Sequence, residues 1–273
     1  MTHGEQTDGQ ARDRIDTKRA HPARIYDYVI GGKDHYQVDV DAGEAMMAEW
    51  PSLRVSMRQN RLFMQRAVRY LAREEGVRQF LDIGTGLPTS PNLHEVVQRE
   101  RPDASIVYVD NDPIVLAHAE ALLTSAPPGR TAYLDADMRE PESILESPMF
   151  KELLDLKQPV ALTVIAILHF IRPPADHALL RRLLDPLPSG SFLAVSTATE
   201  EFAPAEIRRV REQYESRGIP MVSRTTAEVG AFFEGLELVA PGLTQVHRWR
   251  PTEAQAGVTN EQVAMLGAVA RKP

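Results

Sequence analysis

From residue 77 onward the chain alternates between short apolar segments and amphipathic segments, and this alternation constrains the fold more than any other feature. An apolar segment such as SIVYVD at 105–110 is followed by one with helical spacing, such as DPIVLAHAEALL at 112–123. Strands that alternate with helices build a mostly parallel sheet with helices on both faces. We therefore predict an α/β fold with an open, doubly wound sheet.

Two signals mark where helices of this region begin. Asn92 and Glu95 have the spacing of a capping box. Asp112 stands directly before Pro113, as an N-cap residue stands before the first helical position. The first signal places the helix start several residues beyond the preceding glycine turn.

The sequence divides into three regions. Residues 1–20 are polar and almost free of large apolar side chains, which predicts a disordered tail. Residues 21–76 show helical spacing without an obvious strand, which predicts a helical N-terminal extension. Residues 77–273 form the alternating α/β domain.

Composition excludes several classes of function. The net charge of −7 argues against a broad nucleic-acid interface, and the absence of cysteine excludes disulfides and thiolate metal sites. No apolar run reaches the ~20 residues of a membrane helix, and the N-terminus lacks the apolar core of a signal peptide. We expect a cytoplasmic protein without a membrane span. The sequence does not indicate an oligomeric state.

Carboxylates follow three successive predicted strands. Asp82 ends the first, Asp110 ends the second, and Asp135 and Asp137 end the third. In open α/β sheets the ligand lies beyond the carboxyl ends of the strands. The sequence therefore predicts a ligand site with an acidic rim.

The turn after the first strand, DIGTGLP at 82–88, favours a ligand without phosphate. Gly84 and Gly86 allow the backbone to approach a ligand closely. An aspartate at the start of the turn would repel a pyrophosphate, and Pro88 stands where a third glycine is usual. An ammonium and a sulfonium suit this rim, and S-adenosylmethionine carries both.

Each acidic residue has a possible role toward S-adenosylmethionine. Asp82 would meet the ammonium, Asp110 would accept both ribose hydroxyls, and Asp137 would accept from the adenine amino group while Met138 packs on the ring. Alternatives remain open, because Asp110 could cap a helix, Asp112 is better explained as a cap, and Asp135 could be solvated.

Longer motifs point to a known family. FLDIGTG, VYVDNDP and LDADMR resemble the first three cofactor motifs of the class I S-adenosylmethionine-dependent methyltransferases. Together with PARIYDYVIGGKDHY, NRLFMQRAVRYL and AILHFI, they resemble an actinobacterial family of S-adenosyl methyltransferases, formerly a domain of unknown function, over nearly the whole chain. The resemblance implies a Rossmann-like, seven-stranded sheet with the last strand antiparallel and a helical lid before it. It implies as cofactor residues Asp82, Gly84, Gly86, Asp110 and Asp137, and we add Asn111 and Met138 as neighbouring candidates.

The N-terminal segment RIYDYVIGGKDHY at 24–36 is the least usual part of the chain. It could be a turn between helices, with Tyr26 and Tyr28 packed on the core. It could also be a lid across the cofactor site, in which Tyr28 and Gly32 approach the cofactor. In the following helical segment, Arg58 and Arg61 are candidate partners of the cofactor carboxylate, and we favour Arg61.

His169 follows the apolar segment PVALTVIAILHF at 159–170, which reads as a strand buried on both faces. It is the candidate general base, although it could equally be a packed or cofactor-contacting residue. Tyr28, His35 and Tyr36 are weaker candidates. The eight histidines show no metal-ligand spacing, so no metal is expected.

The sequence thus predicts methyl transfer from S-adenosylmethionine, leaving S-adenosylhomocysteine, to a small-molecule acceptor that is not identified. An alternative is a sensor or accessory protein that binds either compound without transfer. A nicotinamide dehydrogenase is disfavoured, because no intact G-x-G-x-x-G follows a strand.

Overall fold

The computed structural model describes residues 16–122 and 125–273. The helices are α1 (Pro22–Ile30), α2 (Gln37–Glu49), α3 (Leu53–Arg73), α4 (Leu93–Glu100), α5 (Pro113–Leu122), α6 (Pro141–Leu145), α7 (Pro148–Leu153), α8 (Ala175–Leu184), α9 (Pro204–Glu215) and α10 (Thr226–Ala231). The strands are β1 (Gln79–Ile83), β2 (Ser105–Asp110), β3 (Arg130–Asp135), β4 (Ala161–Ile165), β5 (Phe192–Ala198), β6 (Glu237–Leu238), β7 (Thr244–Gln245) and β8 (Met265–Arg271).

These strands form one sheet in the order β3-β2-β1-β4-β5-β8-β6, and β7 pairs with β8 beside this path. Strands β1 to β5 pair in parallel, whereas β8 runs antiparallel to β5, β6 and β7. The predicted α/β fold with a mostly parallel sheet and an antiparallel last strand is confirmed. The sheet has eight strands rather than seven because both two-residue strands, β6 and β7, pair with β8.

Side chains alternate between two cores, one on each face of the sheet. Phe80 and Ile106 belong to the core beneath α3, α4 and α9, whereas their chain neighbours Leu81 and Val107 belong to the core beneath α6, α7 and α8. Both faces of a central strand are therefore apolar, as expected for a parallel sheet covered by helices.

Both predicted helix starts are present. The backbone N–H of Asn92 donates to Glu95 Oε2 at 2.8 Å, which completes the capping box of α4. Asp112 Oδ1 accepts from the N–H of Ile114 at 3.0 Å and so caps α5. The loop after β1 consequently runs from residue 84 to 92 before a helix begins.

Helices α1, α2 and α3 precede the sheet; α3 packs on β4 and β8, while α1 and α2 pack on each other and on α3, and α2 also packs on α9. Phe63 of α3 lies against Gly267 of β8, where an added Cβ would stand 2.9 Å from the phenyl ring. Most of the predicted disordered tail lies outside the described residues. Within residues 16–20, the carbonyls of Asp16 and Arg19 accept from Arg24 Nη2 at 3.3 and 2.6 Å.

The strand predicted over residues 159–170 is shorter than expected. Strand β4 ends at Ile165, and Ala166 takes a positive φ of 59° that an extended strand cannot continue through. A single 3-10 turn, Leu168–Phe170, follows. His169 therefore lies on this turn and not at the end of the strand.

Among the described helices, none combines the length and apolar character that crossing a membrane requires.

Candidate active site

A cavity of about 390 Å³ lies beyond the carboxyl ends of β1, β2 and β4, a size typical of small-molecule sites. Its polar half is formed by α1, by the ends of β1 to β3 and by the loops that follow them. The charged and amide side chains there include those of Asp27, Arg61, Asp82, Asp110, Asn111 and Asp137.

The other half is walled by residues from four parts of the chain, which are Trp50, Leu53, Ser56, Met57, Asn60 and Met64, then Ile207, Val210 and Tyr214 of α9, then residues 218–221, and residues 264–265. We call this half the apolar chamber. Its principal side chains are those of Trp50, Met57, Val210, Tyr214, Met221 and Met265.

The two glycines of the turn after β1 meet different surroundings. Both have a φ of 69°, in the left-handed region that favours glycine. A Cβ on Gly84 would stand 2.2 Å from Ile167 Cδ1, whereas a Cβ on Gly86 would find no atom within 4 Å. Both glycines line the cavity, but Gly84 also makes room for Ile167, whereas Gly86 borders open space.

Asp110 links this turn to the end of β2. Its Oδ2 accepts from the N–H of Gly86 at 2.8 Å and its Oδ1 accepts from the N–H of Asp112 at 3.0 Å. Burial raises the pKa of Asp110, while these two hydrogen bonds and nearby His21 favour its ionised form. Each carboxylate oxygen can accept a second hydrogen bond, so the group can still receive two ribose hydroxyls.

Asp82 is also buried, and its Oδ1 accepts from Thr163 Oγ1 at 2.5 Å. Burial raises the pKa of Asp82 to about 6, against the hydrogen bonds of Thr163 and Thr85 and the charge of Arg61. A cation beside this carboxylate would restore its ionised form.

Asn111, Asp137 and Met138 lie together at the third edge of the polar half. Asn111 Nδ2 donates to Asp137 Oδ2 at 2.8 Å, and the N–H of Arg139 donates to Asp137 Oδ1 at 2.8 Å. Met138 is buried and lines the cavity. A fixed carboxylate beside an apolar side chain suits a flat base that bears an amino group.

The start of α4 is not available to a phosphate. The N–H of Asn92 is occupied by the Glu95 carboxylate, and the N–H of Thr89 donates to Asn92 Oδ1 at 2.9 Å. Helix N-termini bind phosphate through free N–H groups. The capping box therefore removes the donors that a dinucleotide would need.

Arg61 fixes the loop between β1 and α4. Its Nη2 donates to the carbonyls of Thr89 and Pro91, the second at 3.1 Å. Its Nε is buried and has no partner among the described residues. The guanidinium thus lines the cavity with part of its donor capacity unused.

Tyr28 and Gly32 do not line the cavity, so their predicted contact with the cofactor is not supported by the structure. The Tyr28 hydroxyl donates to Glu44 on α2, and the Tyr28 ring packs where a side chain on Gly43 would lie. A Cβ on Gly32 would stand 1.9 Å from Asp27 Oδ1. Gly32 therefore makes room for the Asp27 side chain.

Tyr26 and Asp27 are the residues of this motif that line the cavity, and sequence reasoning missed Asp27. Its Oδ2 accepts from the N–H of Asp34 and lies 2.9 Å from His35 Nδ1, which closes the glycine turn on itself. The signal in the sequence that could have identified Asp27 is its position between Tyr26 and Tyr28.

His169 lines the cavity between its two halves, with its ring 4.2 Å from that of Phe170. Burial, and secondarily the charge of Arg224, lowers the pKa of His169 to about 3. The imidazole is therefore neutral near pH 7, and its Nδ1 has no hydrogen-bond partner among the described residues. The other candidate bases, Tyr28, His35 and Tyr36, are absent from the cavity lining.

A buried polar chain crosses from α3 to the sheet below the apolar chamber. Ser196 Oγ of β5 donates to Asn60 Oδ1 at 2.6 Å, and Asn60 Nδ2 donates to the Tyr26 hydroxyl at 3.2 Å. Tyr26 in turn donates to the carbonyl of Met57 at 2.8 Å. The chain fixes α1 and α3 over the ends of the strands.

Sequence reasoning did not find the apolar chamber. Its residues come from segments up to about 200 positions apart, and none departs from an ordinary core pattern. No cluster of three or more His, Cys, Asp or Glu side chains that could hold a metal occurs in the described part of the chain.

These residues fit S-adenosylmethionine. Gly86 leaves open space beside Asp110, and Arg61 retains an unused donor. Asp82 is a buried carboxylate to which no basic side chain of residues 16–122 and 125–273 donates. The parallel sheet with its antiparallel strand β8 and this acidic rim together define the class I, Rossmann-like fold of S-adenosylmethionine-dependent methyltransferases.

The chain belongs to the S-adenosyl methyltransferase family, whose model matches residues 8–273. Its cofactor is S-adenosylmethionine. A DUF574 family protein from Streptomyces avermitilis is 60% identical, covering 95% of this chain and 100% of that one, with a TM-score of 0.94. A proposed methyltransferase from Thermobifida fusca is 34% identical, covering 94% of this chain and 96% of that one, with a TM-score of 0.86.

A more distant structure shares the fold alone. It is an S-adenosylmethionine-dependent methyltransferase from Mesorhizobium loti, 17% identical over 76% of this chain and 96% of that one, with a TM-score of 0.51. No curated protein shows a significant match to this chain. The comparisons favour the methyltransferase interpretation over a sensor.

Proposed function

We propose that this protein transfers the methyl group of S-adenosylmethionine to a small-molecule acceptor. The observation that carries the proposal is that one cavity joins a carboxylate-rich half, suited to the cofactor, to an apolar chamber. A site that only bound the cofactor would not need the chamber.

S-adenosylmethionine, when bound, supplies a methyl group on a sulfonium that is already a good leaving group. The chain then has to hold the cofactor and the acceptor in line, which accounts for much of the rate in such a displacement. We assign Asp82 to the ammonium, Arg61 to the cofactor carboxylate, Asp110 to the ribose hydroxyls, and Asn111, Asp137 and Met138 to the adenine.

His169 is the proposed proton acceptor. A neutral imidazole has a free lone pair at pH 7, and the low pKa makes it a weak base. A weak base suffices when the proton leaves as the methyl group bonds to the acceptor atom, because that bond makes the proton far more acidic.

We assign helices α1 to α3 as a lid that keeps water from the reacting atoms. His21 Nδ1 lies 2.9 Å from Asp112 Oδ2, which joins α1 to the start of α5. The chain from Ser196 through Asn60 to Tyr26 joins α3 and α1 to β5. Both contacts support closure over the cavity.

Calorimetry with S-adenosylmethionine, S-adenosylhomocysteine and NAD tests the binding half of this proposal. We expect the first two to bind in a 1:1 ratio and NAD not to bind. Binding of NAD alone would refute the assignment.

Transfer is tested with tritiated methyl donor and a small-molecule extract of the producing organism. We expect a labelled compound with the natural sequence and none with His169→Asn, which should still bind S-adenosylhomocysteine. Binding of the donor without any labelled product across the extract would favour a sensor.

A further inference from the structure

The apolar chamber has no charged side chain among the residues that define it. Its walls belong largely to one apolar cluster, in which Trp50, Ile207, Val210, Met221 and Met265 are each 8% exposed or less. An acceptor bearing a full charge would lose its hydration there without gaining a counter-charge. The chamber therefore selects a neutral molecule.

The wall composition favours a flat aromatic molecule over an aliphatic one. Met57, Met64, Met221 and Met265 all line the chamber, and methionine sulfur contacts aromatic rings favourably. Trp50 offers an aromatic surface, and the rings of Phe170 and Tyr214 meet edge to face with centroids 5.6 Å apart.

Three polar side chains of the chamber differ in whether their hydrogen-bonding groups have partners in the protein. Ser56 Oγ accepts from the N–H of Ala264 at 3.2 Å, and Asn60 is engaged by Ser196 and Tyr26. The hydroxyl of Tyr214, by contrast, donates to no described residue, and Tyr214 lines the cavity, so this hydroxyl can turn toward a ligand. Burial and the nearby Tyr26 raise the pKa of Tyr214, so it stays a hydrogen-bond donor.

We infer that the acceptor is an uncharged aromatic compound with a ring hydroxyl, bound in the apolar chamber with Tyr214 as its specificity-determining hydrogen-bond partner. This inference rests on the proposed methyl transfer. A hydroxyl that lines an apolar cavity without a protein partner can donate to one polar atom of an otherwise apolar ligand.

The proposed methyl transfer accounts for every bond, electron pair and proton. The ring oxygen gives a lone pair to the new O–CH₃ bond, the electron pair of the broken C–S bond stays on sulfur, and the hydroxyl proton passes to His169 and then to water. The products are an aryl methyl ether and S-adenosylhomocysteine.

The test measures binding to protein saturated with S-adenosylhomocysteine, using 2-naphthol and 4-phenylphenol as neutral probes and 2-naphthoate as a charged one. We expect 1:1 calorimetric binding of a neutral probe, at least tenfold tighter than 2-naphthoate. Tyr214→Phe keeps the ring and should weaken the neutral probe several-fold. Val210→Trp should fill the chamber and abolish its binding.

Both variants should bind S-adenosylhomocysteine as the natural sequence does, which also shows that they fold. Leu156→Phe, at an exposed position remote from the cavity lining, is the matched control and should change neither affinity. A crystal structure of the ternary complex should place the probe beside Tyr214.

The outcomes separate the two proposals. Absence of S-adenosylhomocysteine binding would defeat the proposed function itself. Normal S-adenosylhomocysteine binding with no affinity for either neutral probe, or with equal affinity for 2-naphthoate, would overturn the aromatic acceptor alone. Unchanged probe binding in Val210→Trp would place the acceptor elsewhere.

Discussion

The N–H of Gly86 donates a 2.8 Å hydrogen bond to Oδ2 of Asp110. This bond joins the glycine turn after β1 to the carboxylate at the end of β2. The backbone that borders the cavity and the side chain assigned to the ribose are therefore held in one fixed arrangement before any ligand binds, which reduces the entropy lost on binding.

Asp110→Ala should weaken S-adenosylhomocysteine binding by about 1–3 kcal/mol, because a charged hydrogen-bond acceptor for the ribose is lost. Calorimetry measures the affinity. Asp103→Ala removes a carboxylate that pairs with Arg78 at the surface and should leave the affinity unchanged. An equal effect of both variants, or no effect of Asp110→Ala, would contradict the ribose assignment.

Affinity for S-adenosylmethionine should rise with pH through about 6. Burial raises the pKa of Asp82 to about 6, so this carboxyl is mostly protonated at pH 5 and mostly ionised at pH 7. A cationic ammonium binds the ionised form, which predicts about tenfold tighter binding at pH 7 than at pH 5. Titrations at several pH values measure this. The Asp82→Asn variant should bind S-adenosylmethionine more weakly at pH 7, and its affinity should depend little on pH. If the affinity of the natural sequence falls as the pH rises, Asp82 does not contact the ammonium.

Alanine at the two turn glycines should have different effects. Both positions have a positive φ, so either substitution costs about 1–2 kcal/mol of folding free energy. Gly84→Ala should cost more, because its Cβ would collide with Ile167. Gly86→Ala should lose only the folding free energy that its positive φ costs. Its methyl group would enter the cavity, so the variant should bind the cofactor more weakly.

The matched control for the turn is Gly235→Ala. Gly235 is exposed, has a φ of 75° and has no atom within 4 Å of an added Cβ. Gly235→Ala should lose as much stability as Gly86→Ala and keep the full affinity for the cofactor. Thermal unfolding and calorimetry separate the two effects, and full affinity in Gly86→Ala would show that the cofactor lies away from this turn.

The hydrogen bond from Ser196 to Asn60 should stabilise the contact between α3 and the sheet. Ser196→Ala leaves Asn60 Oδ1 without this buried donor, so we expect a loss of about 1–3 kcal/mol in the free energy of unfolding. Urea denaturation measures it, with the exposed Ser216→Ala as control, which should change stability by less than about 0.5 kcal/mol. Asn60→Leu and the double variant complete a double-mutant cycle. If the double variant loses as much stability as the two single variants together, the two residues are not coupled.

Much of the polar half was predictable because it depends on local patterns and one topological rule. Asp82 and Asp110 end strands whose apolar pattern is plain in the sequence, and β1 and β2 pair in register, Ile83 opposite Val109. Parallel neighbours bring their carboxyl ends to one edge, so the two carboxylates had to meet. The capping residues of α4 and α5 were equally local signals.

The motif at 24–36 shows the limit of local reasoning. Its Gly32 was predicted to approach a ligand closely, and in the structure Gly32 makes room for the Asp27 carboxylate. A glycine in the sequence indicates that something approaches closely, but not whether that neighbour is a ligand or another part of the chain. His169 was expected at the end of a strand but lies on a 3-10 turn. An apolar run in the sequence does not show where the strand ends.

The order of apolar segments and the residues that follow them determined the α/β sheet and its acidic rim, since both arise from neighbours along the chain. The apolar chamber was decided only by tertiary structure. Its walls come from α3, α9 and the start of β8, and their side chains are of the same types as those of the solid core. Whether such side chains fill space or enclose it depends on how distant segments pack, and no single segment carries that information.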